Sequence, residues 1–355
     1  MTNVLFAPLF LGAICFVQSG LAQAPGAPAA GGAPNAAAGA GRGGGAGNAV
    51  HGSNETDGTD IDRFIGYPAN KVIHISHGTL LTHEILRNGD PYTPGPQGAV
   101  LEYRKALSTA TLMPLSRTPL SSLPDAYFFY IKSGEGRLDD GRQSWNLRPN
   151  MAILAPPNVP HRFINTTDKP LEMIMLTFTG GPDAKNELIV RDVNLLPWCE
   201  ENAHWTNESR CVFGTADGLI QGERIYLVMD PPFSTNQPHS HGKGTEEIWV
   251  RVSSGTGVVM LGSELRELPE GAAYLVPPTG ITDHSNLNLS KTNTDWWIYI
   301  ARGPASGGAG GGRGGANVNA AAGPGGGGRG GGGRAANPNI SRDTTEATVA
   351  GTPLK

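Results

Sequence analysis

The chain is short of cysteine, of charge and of long apolar runs, and each shortage removes a class of protein. Charged residues make up 16% of the sequence and the formal net charge is −4, so no basic surplus points to nucleic acid or to an anionic membrane surface. No Gly-rich phosphate loop, nucleophile elbow or Cys-x-x-Cys pair is present, which sets aside the chemistry those motifs serve. Large apolar residues are missing from two tracts, residues 24–58 and 303–355, which are rich in Gly and Ala. Such segments cannot offset their ordering entropy, so the sequence predicts disordered arms on both sides of an ordered middle. The tail carries Arg313-Gly314-Gly315 and Arg329-Gly330-Gly331, but few arginines and no interleaved aromatic residue, which reads as a flexible spacer.

One apolar run stands at the start, from Val4 to Val17, followed by Ser19-Gly20-Leu21-Ala22. This pattern predicts a secretory signal over 1–22, cleaved near Ala22, and a secreted or periplasmic protein. No Lys or Arg precedes the run, so the terminal amine alone supplies its positive end. Cys15 follows Ile14 rather than a small residue, which argues against a lipid anchor. No other stretch is long and apolar enough to cross a membrane. Of the three cysteines, Cys199 and Cys211 then remain, and an even count in an exported chain predicts a disulfide between them. On the chain-entropy estimate such a short loop is stabilised by about 3 kcal/mol.

What the middle does contain is strand signal. Runs rich in Val, Ile, Tyr, Phe and Trp alternate with Gly, Pro, Asn and Asp turns, and no helical periodicity is sustained. Two of these runs begin an internal repeat. Tyr127–Ile131 and Ile248–Val252 each lead to a Gly-x-Gly turn, then to a double proline at Pro156-Pro157 or Pro277-Pro278. A histidine follows each, His161 and His284, with Asn165 and Asn288 four residues further on. Only the second unit adds Pro238-His239-Ser240-His241 and, soon after, Glu246-Glu247. Side chains at i and i+2 on a strand share a face, so His239 and His241 aim at one point. With His284 and a carboxylate they form a donor set suited to a divalent first-row transition metal.

These motifs resemble those of the cupins: His-x-His with a downstream Glu, and Pro-x-Gly with a later His and Asn. The resemblance runs from about Leu112 to Ala301 and implies an all-β fold of two tandem double-stranded β-helix (jelly-roll) barrels. The expected organisation is a signal over 1–22, a linker over 23–60, barrel 1 over 61–185, a connector with the disulfide over 186–215, barrel 2 over 216–302 and a tail over 303–355. The family pattern implies one metal, of the Mn, Fe, Ni, Zn or Cu group, held by His239, His241, Glu247 and His284. Glu246 has the family's spacing from His241. Glu247, directly before the aromatic strand and consistent with Gly255, is preferred. The segment from Pro278 to His284 is one residue longer than the family pattern, which a bulge could absorb.

In the first unit Pro119 to Leu123 stand in place of His-x-His, and Tyr127 falls where the Glu belongs. Asn158 replaces the motif's glycine, and asparagine tolerates a left-handed turn. With His161 alone, that barrel is expected to bind no metal. His74, His77 and His83 do not converge on one strand face and read as surface or core residues; His204, between the cysteines, reads as structural. Trp249 and Arg251 share a strand face with Glu247, so Arg251 is a candidate for a substrate carboxylate. Trp297 and Tyr299 read as core. The expected function is an exported metalloenzyme of dioxygenase, decarboxylase, isomerase or lyase type, acting on a small organic molecule. Its rival is a non-catalytic module that binds a sugar or other ligand at the cell envelope. No nucleic-acid partner and no membrane span are expected, and a homodimer is compatible with the sequence.

Overall fold

The computed structural model describes residues 59–69, 72–199 and 205–303. The expected signal, most of both arms and His204 lie outside the described residues. Within them the chain is built from β-strands and three short 3-10 turns, with no α-helix. No helix among the described residues is long and apolar enough to cross a membrane.

The repeat read from sequence is a repeat of topology. In the first unit a large sheet orders its strands 189–192, 151–155, 126–133, 171–178, 104–112, 80–88, 73–76. In the second, the large sheet runs 65–66, 273–275, 246–251, 295–302, 224–230, 208–213, 198–199. Each faces a four-stranded sheet, ordered 116–117, 162–165, 136–139, 144–147 in the first unit and 234–235, 284–288, 256–261, 264–269 in the second. The correspondence holds strand for strand, and each pair of sheets closes a jelly-roll barrel.

One exchange departs from the expected boundaries. Ile65 and Gly66, expected in the first barrel, pair with Tyr274 and Ala273 of the second, while Ile61 and Ile65 are buried in the second barrel's interior. Conversely Ile189–Asp192, expected in the connector, extends the first barrel's sheet beside Met151–Leu154. An exposed row of backbone N–H and C=O groups at a sheet edge is unfavourable, and each large sheet covers one edge with a strand from outside its own repeat.

Three apolar clusters hold these layers. Phe129, Phe163, Met173 and Met175 lie inside the first barrel, and Tyr226, Trp249, Tyr274, Trp297 and Tyr299 inside the second. The third cluster is shared: Phe128, Tyr130, Ile174 and Leu176 of the first sheet pack with Leu227, Ile248, Val250 and Ile298 of the second. The central strands are therefore buried on both faces, which explains why Ala126–Ile131 and Glu246–Arg251 are buried at every position.

The paired asparagines of the repeat are clamps. Asn165 donates through Nδ2 to the carbonyls of Leu112, Met113 and Lys169, and Asn288 does the same to Asp230, Pro231 and Asn293. Asn158 adopts the left-handed conformation expected of it, at φ 62°. Cys199 and Cys211 are disulfide-bonded with Cα atoms 6.0 Å apart.

Candidate metal centre

His239, His241 and His284 come together in the second barrel, with one ligand-capable atom from each lying within 4.8 Å of the others. The local backbone is less regular than the expected strand. His239 forms an isolated antiparallel bridge with His284, each N–H bonding to the other's carbonyl at 3.4 and 3.0 Å, and His241 lies in the following loop. The alternation still works over two residues: the rings of His239 and His241 have centroids 4.7 Å apart, and both approach His284, at 4.5 and 5.3 Å. The Pro278–His284 segment turns at Gly280, with φ 87°, before the strand His284–Asn288 begins.

The structure separates the two carboxylates. Neighbours on a strand point to opposite faces. Glu247 turns into the barrel, where its oxygens lie 2.6 Å from His241 Nε2 and 2.8 Å from His284 Nε2. Glu246 turns toward the first barrel, where it accepts from Arg104 Nη1 at 2.6 Å and from the backbone N–H groups of Glu102 and Tyr103 at 2.6 and 2.9 Å. Both oxygens of Glu246 are thereby committed away from the histidines.

The site's donors are oriented from behind. Trp249 Nε1–H donates to Glu247 Oε1 at 2.7 Å, and His239 Nδ1 lies 2.7 Å from the carbonyl of Gln237. Burial and the neighbouring His284 and His241 rings hold the His239 imidazole down to about 3, so it is neutral at ordinary pH. Burial pulls His241 down as well, but the Glu247 carboxylate outweighs it and the net shift is upward. Burial pushes Glu247 up, yet His241 and His284 outweigh that and hold it well below the usual carboxylate range.

The donor set fits a cation. His241 Nε2, His284 Nε2 and Glu247 Oε2 lie within contact distance across the site, yet none makes a geometrically acceptable hydrogen bond among the described residues. Buried polar atoms are rarely left so. Three imidazoles and one carboxylate, with these three atoms facing one another at such short range, are what a shared cation would satisfy.

Two residues near the site differ from expectation. Arg251, expected to face a substrate, is fully engaged elsewhere. It pairs with Asp295 at 3.0 Å and donates to the carbonyls of Ser253, Ser254 and Gly255, because its strand carries it to the far end of the barrel. Arg224, which the sequence reading did not single out, lies on the face of the barrel where Arg251 was expected. Directly opposed residues on neighbouring strands share a face. Arg224 opposes Ala301, and Ala301 opposes Glu247, so the three form a row at the level of the histidines. Arg224 donates to the Tyr299 hydroxyl through Nη2 at 2.9 Å, and the charge of Glu247 reaches it across the site. The sequence offered one hint of it: both repeats open their equivalent strand with an arginine, Arg104 and Arg224.

In the first barrel Tyr127 lies opposite Ala155 as Glu247 lies opposite Val276, so the tyrosine does occupy the glutamate's position. His74 is exposed and His83 partly so, whereas His77 is buried against His161, with ring centroids 5.2 Å apart.

Comparison with known proteins agrees with this architecture. A family model described as a cupin domain matches residues 110–177. No curated protein matches the sequence. Among solved structures, AerE from Microcystis aeruginosa is similar at a TM-score of 0.50 and 15% identity, covering 68% of this chain and 99% of its own. A putative glyoxylate-induced protein from Pseudomonas aeruginosa reaches 0.51 at 13% identity, covering 64% and 82%. Vicilin from hazelnut, Corylus avellana, reaches 0.50 at 11% identity, covering 68% and 85%. At these identities the likeness is one of fold.

Proposed function

We propose that this chain, which belongs to the cupin superfamily, is an exported metalloenzyme that acts on a small organic anion at a metal in its second barrel. His239, His241, Glu247 and His284 hold one divalent transition metal. The observation that carries this reading is the convergence of three imidazoles on one another, with the buried Glu247 carboxylate 2.6 Å from His241 and 2.8 Å from His284. Once bound, the metal supplies Lewis-acid or oxygen-activating chemistry at positions the protein leaves open.

The protein's own residues select the substrate's charge. Three neutral imidazoles and one carboxylate leave a divalent ion with a net charge of about +1, and Arg224 adds another positive charge on the same face. A carboxylate or comparable oxyanion is favoured there, with Arg224 fixing one end through charge-assisted hydrogen bonds. Tyr299 holds the guanidinium in place, and Trp249 and Tyr274 close the barrel beneath it. The disulfide is consistent with export.

Elemental analysis of purified protein tests the reading, followed by oxygen-uptake and small-acid screens. One transition metal per chain is expected, lost in His239→Ala/His241→Ala. Unchanged metal content in that variant would remove the site.

A further inference from the structure

The interior of the first barrel contains two buried histidines that the second barrel's site does not use. His161 stands where His284 stands in the second unit, in register with Ser121, as His284 is with His239. The His-x-His segment has no counterpart there. A second imidazole nonetheless arrives from elsewhere in the chain. His77 sits in the turn between Ile73–Ser76 and Leu80–Asn88, with φ 48°, a left-handed conformation uncommon for a residue with a Cβ. Gly78 follows at φ 79°, and a Cβ there would meet the Pro119 ring at 2.8 Å. The turn is thus pressed against the segment that replaced His-x-His, and it delivers His77 into the space that motif would have filled.

The pair is spaced like a ligand pair. The ring centroids of His77 and His161 are 5.2 Å apart, within the range of 4.5 to 5.3 Å among His239, His241 and His284. His77 is 6% exposed and His161 1%. His161 Nδ1 lies 3.0 Å from the carbonyl of Val159, an acceptor, so Nδ1 carries the proton and Nε2 a bare lone pair. His77 Nδ1 is held by Ser76 Oγ at 2.8 Å. Neither Nε2 has a hydrogen-bond partner among the described residues. Burial holds both rings neutral, His77 down to about 3 with help from His161.

Charge decides what such a pair can hold. No carboxylate pairs with either ring among the described residues, and burial together with Asp125 keeps the Tyr127 phenol protonated. The surrounding side chains are aromatic: Tyr127 lies 4.7 Å and Phe129 5.5 Å from His77, and Phe163 6.2 Å from His161. The thioethers of Met173 and Met175 belong to the same interior cluster. An uncompensated divalent ion is costly in such a place, and the cost grows steeply with charge. A soft monovalent cation with two neutral imidazoles is the least penalised, in polarizable surroundings that favour it. We infer that the first barrel is a Cu(I)-binding site, with His77 Nε2 and His161 Nε2 as its ligands. The expectation of a metal-free first barrel rested on His161 standing alone; His77 supplies the second donor.

Anaerobic Cu(I) titration of the full chain against a chromophoric Cu(I) chelator, with ascorbate as reductant, tests the site. The chain carries His239→Ala/His241→Ala to silence the second barrel. One tightly held Cu(I) per chain is expected, and it is lost when His77→Phe or His161→Phe is added while the circular dichroism is unchanged. Absence of Cu(I) in the His239→Ala/His241→Ala chain overturns the site, as does full retention in either phenylalanine variant. X-ray absorption of the Cu(I)-loaded His239→Ala/His241→Ala chain covers the case in which a phenylalanine variant does not fold. Two imidazole nitrogens at the copper support the assignment, and sulfur-only ligation or no imidazole scattering refutes it.

Discussion

Glu246 and Glu247 are adjacent, and replacing each by alanine should have opposite consequences. Glu246 belongs to an ion network buried between the barrels. Arg104 pairs with Glu246 at 2.6 Å and with Glu223 at 2.8 Å, and the three side chains are 0%, 2% and 3% exposed. Glu246→Ala leaves the Arg104 guanidinium half unpaired and strips two backbone N–H groups of their acceptor. Breaking a buried pair costs about 3–5 kcal/mol. At about 2–4 °C per kcal/mol for a domain of this size, the thermal midpoint should fall by roughly 10 °C. Metal per folded chain should not change, because neither oxygen of Glu246 faces the histidines. Glu247→Ala should do the reverse and remove the metal. Thermal melts paired with elemental analysis separate the two. Converting the network to neutral side chains, with Glu246→Met, Arg104→Met and Glu223→Gln together, should recover much of the midpoint, since no bare charge then remains. Metal loss in Glu246→Ala with an unmoved midpoint would show that the strand has been assigned the wrong faces.

Other outcomes follow from single contacts. Trp249→Phe removes the N–H that orients Glu247, so metal affinity measured by competition should weaken by about 10–100-fold, as for other residues behind a metal ligand. Arg224→Met should leave metal content intact and weaken a small dicarboxylate by about 10-fold or more in calorimetry, the loss of a charge-assisted hydrogen bond; equal affinities would exclude Arg224 as the anion anchor. Neither carboxylate oxygen of Asp230 has a hydrogen-bond partner among the described residues, and burial, aided by Asp295, holds its pKa well above the usual value. Above about pH 4 the unfolded chain ionises this group while the folded chain keeps it protonated, so stability is lost as pH rises. Asp230→Asn should therefore be stabilising at pH 7 and without benefit near pH 3 in urea melts; a gain that is the same at both would refute the titration. Cys199→Ser opens a loop of 12 residues and should cost about 3 kcal/mol, read as the same shift that a reductant causes in the parent protein.

Local pattern carried much of this architecture. His239, Ser240 and His241 with His284 announced the centre, and the spacing of Pro156-Pro157 and Pro277-Pro278 to their histidines announced the duplication. Adjacency was where pattern ended. Glu246 and Glu247 both had arguments from spacing, and what separates them is Arg104, 142 residues away in the chain. Arg251 misled for a related reason. Its strand face was read rightly, but four residues beyond Glu247 it met Asp295 instead of the site. His77 was read with His74 and His83 as a surface or core residue, because nothing in its own neighbourhood marks it as a partner of His161. Its significance depends on a turn that brings it to His161, 84 positions further on, and on the Pro119 segment that left room. The exchanged strand at Ile65–Gly66 was equally hidden, since two residues carry no periodicity.

The two barrels share a frame and differ in their centres, and the apolar cluster between them holds that frame in place. The large sheets bury their outer faces against each other through Phe128, Tyr130, Ile174, Ile248, Val250 and Ile298. Neither sheet can shift register without exposing that surface, because a slip of one residue turns every side chain to the other face. Glu246 adds a charged stop to the same strand, held by Arg104 and by two backbone amides of the first barrel. Glu247 is the next residue. Any slide of Glu246–Arg251 that moved Glu247 off His241 and His284 would also pull Glu246 off Arg104 and leave a buried guanidinium half unpaired. The first barrel thereby sets the position of Glu247 in the second. Its own interior differs: Tyr127 stands at the position that Glu247 holds in the second barrel, and His77, from a neighbouring hairpin turn, faces His161.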